Sequence, residues 1–261
     1  MRGFRIGISR PSWQESDNSL IFHKAADLGF DGIQIKPHQY NAVGLNPVRF
    51  TQTYRDLSYL ARGGLIVYPG PVYRSWPEKL YPYISFAAAL GADQLCICAN
   101  VQRKDLDGAG LAGVAETLNR VGREAVKGGV TISLHNHVDT VFETLDDLKI
   151  LFTYMDATLC GLTFDTAHGA KGGFHDLAHA LEQLRPFINN VHLKDVSTDG
   201  QFCPVGTGTL DLAPVVRKLL ETGYGEWLIV DEETEGLSVE ESFDLSAQFL
   251  RKHGLMNGRP R

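Results

Sequence analysis

Short apolar runs return along the 261-residue chain about every 33 residues, and this period constrains the fold more than any other feature. The runs are FRIGIS, DGIQIK, GLIVYP, DQLCICA, GVTISLHNH, CGLTFD, NNVHLKD and EWLIVDE, beginning near residues 4, 31, 64, 93, 129, 160, 189 and 226. Their Ile, Val and Leu content and short length are those of strands buried on both faces. Between them lie stretches with helical periodicity: NSLIFHKAADLGF, LYPYISFAAALGA, GVAETLNRVGREAVKGG, TLDDLKILFTYM, FHDLAHALEQLRPF and LAPVVRKLLETGYG. Several reach a glycine just before the next run, as in ADLG, AALG, VKGG and ETGYG, where a left-handed helix cap is wanted. Strand then helix, eight times over, specifies a parallel sheet, and the length matches one closed (β/α)8 TIM barrel over residues 1–255 with a frayed tail at 256–261. A doubly wound sheet would carry a glycine-rich turn after the first strand; ISRPSWQESD stands there instead.

Charge and composition narrow the partners. With 25 basic against 31 acidic side chains, a net charge of −6 and no basic cluster, the chain is not built for a nucleic-acid backbone. The longest apolar stretches, LIVY and LCIC, are four residues, against the roughly 20 needed to cross a bilayer. MRGFRIGISR lacks the apolar block of a secretory signal, so a cytoplasmic location is expected. The four cysteines agree: Cys96 and Cys98 share a strand face, Cys160 and Cys203 are distant, and no CxxC pair occurs, so free thiols are expected.

In such a barrel the chemistry gathers where strands end. Run five ends in His135, Asn136 and His137, run six in Asp165 and His168, run seven in His192, Lys194 and Asp195, and run eight in Asp231, Glu232 and Glu233. One histidine at a strand end is ordinary; four successive ends bearing His, Asp or Glu point to a metal site. Mixed imidazole and carboxylate donors suit Mn²⁺, Co²⁺, Zn²⁺, Fe²⁺ or Mg²⁺, which act as Lewis acids on a carbonyl and hydroxyl pair.

FDTAH at 164–168, VHLKD at 191–195 and PVGTGTLDLAPVVRKLLETGYGEWLIVD at 204–231 resemble the xylose isomerase-like (AP endonuclease family 2) superfamily of TIM barrels, and the resemblance runs from strand one to strand eight. It implies that Asp165 and His192 are metal ligands, Mn²⁺ being the first ion to expect, and that His168 contacts substrate oxygen. The family's other two ligands, glutamates on strands five and eight that double as its acid/base pair, are replaced by His135 and Asp231. Imidazole both binds metal and takes protons near neutral pH. Asp231 is a methylene shorter, so proton transfer would need a shift of about 1 Å. Glu233, two residues on and on the same side, is the reserve carboxylate, while Glu232 faces away. LHNHVDTVFET further resembles the inosose dehydratases.

These implications support a divalent-metal-dependent sugar or keto-sugar isomerase or epimerase that removes a proton α to a carbonyl polarised by the ion. The alternative is an inosose dehydratase-like lyase, which shares that first step and then expels a hydroxyl. A repair endonuclease fits the acidic balance poorly, and a barrel that binds sugar without catalysis is the remaining reading. The partner is a small sugar, keto-sugar or cyclitol, and barrels of this family often pair.

Other candidates are less determined. Lys194 holds an oxyanion or phosphate, or else pairs with Asp195 or a neighbouring carboxylate. His137 on strand five is expected to contact substrate, and Gln34 and His38, near the end of strand two, to contribute to the pocket wall, with His38 touching substrate. Trp13, Tyr68, Tyr73, Arg74 and Trp76 either stack on a sugar face or cap the core. Gly206, Gly208 and Gly225 are turn positions, and His175 with His179 reads as a surface pair.

Overall fold

The alternating Ile, Leu and Val side chains of the eight runs form eight parallel strands in the computed structural model, which describes residues 3–256. They are β1 (Arg5–Ser9), β2 (Gly32–Ile33), β3 (Leu65–Val67), β4 (Gln94–Ile97), β5 (Thr131–His135), β6 (Cys160–Asp165) and β7 (Ile188–Leu193), followed by a small hairpin of β8 (Asp195–Val196) and β9 (Phe202–Cys203), and finally β10 (Trp227–Asp231). The large sheet runs β2-β1-β10-β7-β6-β5-β4-β3. Its ends meet through Ile35, which bridges to Leu65; Ile35 N donates to Gly64 O at 2.8 Å and Ile66 N to Ile35 O at 3.0 Å. The chain is a TIM barrel.

Closure needs a glycine at one point. Gly64 has φ +94°, and a Cβ there would lie 2.2 Å from Gln94 O, so strands three and four approach only because nothing projects between them.

Side chains alternate along each strand, so Gln94, Ser133, Thr163 and Asn190 share the barrel interior in a layer below the strand ends. Gln94 Nε2 donates to Asn190 Oδ1 at 3.2 Å, Asn190 Nδ2 to Thr163 Oγ1 at 3.1 Å, and Ser133 Oγ lies 2.6 Å from Thr163 Oγ1. Linked in this way, the buried polar groups form a stiff floor for what lies above.

The helices cover the outside. Those expected from periodicity are α1 (Asp17–Leu28), α4 (Trp76–Leu90), α5 (Gly110–Lys127), α6 (Leu145–Phe152), α8 (Leu177–Leu184) and α9 (Ala213–Glu221). Gly29 and Gly91 take the left-handed cap. The second unit also holds α2 (Pro37–Ala42), α3 (Pro47–Tyr54) and a 3-10 stretch at Arg55–Gly63; α7 (Thr166–Lys171) follows β6 directly, and α10 (Val239–Lys252) closes the ring. Of the tail expected at 256–261, Met256 is instead buried against the core, and residues 257–261 lie outside the described residues. All four cysteines are free. Among the described residues no helix is long and apolar enough to cross a membrane.

Candidate metal centre

Strand register builds the centre. Pairing of β6 with β7 sets Asp165 opposite His192, and pairing of β5 with β6 sets His135 opposite Thr163, two residues below Asp165. His135, Asp165 and His192 are buried, and one ligand atom from each lies within 4.8 Å of the others. Asp165 Oδ2 is 3.3 Å from His135 Nε2 and 3.7 Å from His192 Nδ1. Its Oδ1 caps α7, accepting from His168 N at 2.8 Å. Asn136 holds the same residue by its backbone, its Oδ1 accepting from Asp165 N at 2.7 Å and its Nδ2 donating to Asp165 O at 3.2 Å.

Protonation of His192 decides whether these residues fit an ion. Gln34 Oε1 accepts from His192 Nε2 at 2.7 Å, which holds a proton on Nε2 and turns Nδ1 toward the carboxylates. That Nδ1 is buried without a hydrogen-bond partner, 3.7 Å from Asp165 Oδ2 and 3.8 Å from Asp231 Oδ2. A buried ring nitrogen without a hydrogen-bond partner that faces two carboxylate oxygens is an arrangement of donors that a cation would satisfy. The donor set therefore fits a divalent ion held by His135, Asp165 and His192.

Burial holds the His135, His137 and His168 imidazoles below their ordinary range, His168 at about 3, so all three are neutral at neutral pH. For Asp165, burial pushes upward, but the nearby histidines and Lys194 outweigh it and keep the carboxyl well below the usual range. His137 Nδ1 donates to Val138 O at 2.8 Å, and its ring stacks on His168 with centroids 3.9 Å apart. His168 in turn meets Phe202 of the hairpin edge-on, at 5.3 Å.

Next to this centre lies a second, ionic cluster. Lys36 Nζ is 2.8 Å from Asp231 Oδ1 and Lys194 Nζ 2.9 Å from Asp231 Oδ2, while Glu233 pairs with both lysines. Three of the four are almost wholly buried; the Glu233 side chain is 26% exposed. Burial pulls the lysines down, but the two carboxylates outweigh it and hold both ammonium groups above their usual range. Burial likewise raises the carboxyls, and the lysines reverse this, holding Asp231 well below its ordinary value and Glu233 at about 2.

The strand-end residues are thus brought together largely as their spacing predicts, with differences. Asp231 Oδ2 lies 3.8 Å from His192 Nδ1, beside the His–Asp–His group, and is engaged by two lysines. Lys194 pairs with Asp231 and Glu233. Asp195 instead accepts from the backbone N–H groups of Val196, Gly206, Gly208 and Leu210, organising the rim loop. Glu232 does face away, toward Arg10 and Thr234. His38 is exposed on α2 while Gln34, Lys36 and Gln39 around it are buried, because the helix turns it outward. Trp13, 45% exposed, stacks on Arg10 at 4.5 Å and lines a separate cavity of about 570 Å³ with Asp17, Leu20 and Glu235. Tyr73 and Trp76 are buried caps, Tyr68 and Arg74 are exposed, and so are His175 and His179. Two site residues escape the sequence reading. Lys36 was legible in IQIK, where alternation puts it on the interior side with Gln34, and an interior lysine demands a carboxylate partner. Phe202 has no such signal, since the hairpin that carries it is only two residues wide.

The family described as xylose isomerase-like TIM barrel matches residues 22–253. An inosose dehydratase of Geobacillus kaustophilus (strain HTA426) is 30% identical over 89% of this chain and 88% of its own length. Against other inosose dehydratases that match, such as that of Clostridium beijerinckii, the aligned part spans about half of each protein, 47% in both. Among solved structures, an L-ribulose 3-epimerase superposes with TM-score 0.76 at 18% identity, covering 97% of this chain and 94% of that one. The IOLI protein with a bound zinc atom superposes with TM-score 0.74 at 16% identity, covering 95% and 97%.

Proposed function

Since the chain belongs to the xylose isomerase-like TIM barrel family, we propose that it is a divalent-metal-dependent enzyme that enolises a sugar, keto-sugar or cyclitol. The observation that carries this reading is the buried His192 Nδ1, without a hydrogen-bond partner, facing Asp165 and Asp231 beside His135. An ion held by His135, Asp165 and His192 supplies Lewis-acid polarisation of a substrate carbonyl. Mn²⁺ is the first ion to test, and Zn²⁺ the second, given the zinc in the IOLI structure.

The chain's own residues supply the rest. His137 is the favoured proton acceptor: Val138 O holds the proton on Nδ1, burial keeps the ring neutral, and it is less enclosed than His135, which serves as a ligand. Lys194 and Lys36, held beside the His135–Asp165–His192 group by Asp231 and Glu233, would offer two ammonium groups to substrate oxygens on which negative charge develops. Asp231 and Glu233 keep those lysines charged, which suits the carboxylates to orientation more than to proton abstraction. His168 and Phe202 wall the substrate side.

Two endings follow from the same enediolate. Return of the proton to the neighbouring carbon gives isomerisation and return to the same carbon from the opposite face gives epimerisation; departure of a β-hydroxyl gives dehydration. The Geobacillus kaustophilus relative, aligned over most of both chains, favours dehydration. Incubating the Mn²⁺-loaded protein with keto-inositols and with free ketoses separates the endings: mass spectrometry reads loss of water for the lyase and unchanged mass with a new chromatographic peak for the isomerase. No turnover of either class contradicts the proposal. The reading carries with it a cytoplasmic enzyme of small-molecule metabolism that does not act on nucleic acid.

A further inference from the structure

We propose that Lys36, together with Lys194, withholds the carboxylates at the end of β10 from the metal, so that among the described residues His135, Asp165 and His192 alone are its ligands and the other coordination positions are left to substrate. The proposal rests on the metal-centre reading above and concerns this chain's own departure from a four-ligand site.

The two carboxylates nearest His192 stand in different situations. Asp165 Oδ2 has imidazole nitrogens for neighbours and Oδ1 one backbone N–H, so its charge meets no ammonium group at hydrogen-bond distance. Asp231 has an ammonium beside each oxygen: Lys194 Nζ donates to Oδ2 at 2.9 Å, and Lys36 Nζ lies 2.8 Å from Oδ1 as an ion pair, although Oδ1 has no hydrogen-bond partner. Glu233 spans the same two lysines from the other side, which closes an alternating ring of two cations and two anions. To donate to an ion, Asp231 must give up part of that pairing at a buried position, where a stranded charge is unfavourable. The ammonium groups also repel a cation nearby, an effect that is strong where water is excluded.

The ring has a structural source. Lys36 reaches it from the end of β2, carried two residues past Gln34 on the same interior side, so one short segment fixes His192 through Gln34 and occupies Asp231 through Lys36. Lys194 reaches it two residues past His192 on β7. Both lysines are thus tied to segments that also position the metal ligand, and the ring cannot drift from the centre independently.

The test is calorimetric titration of Mn²⁺ into the full chain as wild type, Lys36→Gln and Lys36→Arg, with the ion-induced rise in Tm as a second readout. Freed from Lys36, Asp231 becomes available and a repelling charge is gone, so Lys36→Gln should bind Mn²⁺ on the order of tenfold tighter and show a larger rise in Tm, while Lys36→Arg matches wild type. Equal or weaker binding by Lys36→Gln overturns the assignment, because Lys36 would then be orienting Asp231 as a ligand. Wild type that binds no Mn²⁺ overturns the metal-centre reading itself, a distinguishable result. If Lys36→Gln does not fold, the charge-balanced Lys36→Met/Asp231→Asn variant decides: affinity within about threefold of wild type supports the proposal, and loss of about tenfold or more overturns it.

Discussion

A histidine gives a metal its lone pair only when its other nitrogen keeps the proton, and at His192 that choice is made by Gln34, whose Oε1 accepts from Nε2 at 2.7 Å. Replacing Gln34 with Leu removes the acceptor and should weaken divalent-ion binding by about 10–100-fold with the fold retained, measured by calorimetry; Gln34→Glu, which still accepts, should bind more tightly than Gln34→Leu. Asn136 works on Asp165 in the same indirect way, by two hydrogen bonds to its backbone. Asn136→Ala should therefore reduce metal affinity without removing any ligand, as equilibrium dialysis against Mn²⁺ would register. At this scale the ligands were legible because strand ends with alternating side chains expose them. Lys36 could be placed on the interior side from IQIK, but its partners Asp231 and Glu233 could not be named, because they lie nearly 200 residues away.

Elements deliver these residues, and the loop after β8 illustrates how. Asp195 accepts from Gly206, Gly208 and two further N–H groups, and a Cβ on Gly208 would sit 2.3 Å from its Oδ1. Gly208→Ala should destabilise the protein by about 1–3 kcal/mol in urea unfolding, because the side chain must push apart the rim that Asp195 gathers. It should also raise KM more than it lowers kcat, since Phe202 on the neighbouring strand forms the wall over His168. The glycine-rich rim was recognisable as a turn, while its reason, a buried carboxylate satisfied by backbone, required coordinates. Helices α1, α5 and α9 were readable from long periodic stretches. The short α2 and α3 were not, because six to eight residues give too few turns for a period to emerge. The sequence of α10 carries a capping box, Ser238 with Glu241, but buried Ser242 and Ser246 interrupt its apolar stripe.

For the whole molecule, the period of eight runs was enough to specify the barrel, since a parallel sheet of eight short strands buried on both faces has few other ways to close. How it closes was not legible: β2 is only two residues long, and the seam is a single bridge at Ile35 beside Gly64. The interior chemistry also sets how global stability depends on pH. His135, His137 and His168 are held below their ordinary range by burial, whereas in the unfolded chain they titrate near 6.5. The unfolded state therefore takes up protons that the folded state excludes. Stability is full above about pH 6.5 and declines as pH falls toward the folded values, by about 1 kcal/mol per pH unit for each imidazole. Asp165, Asp231 and Glu233, whose pKa values are also depressed, extend the loss below about pH 4. The urea midpoint of metal-free protein should fall between pH 7.5 and 5.5; a flat or rising midpoint contradicts this. The account as a whole depends on the His135–Asp165–His192 group being a metal site. Elemental analysis after dialysis against Mn²⁺ tests this most directly: the account predicts one ion retained per wild-type chain and none in His192→Ala, and it is contradicted if wild type retains no ion or the variant retains as much.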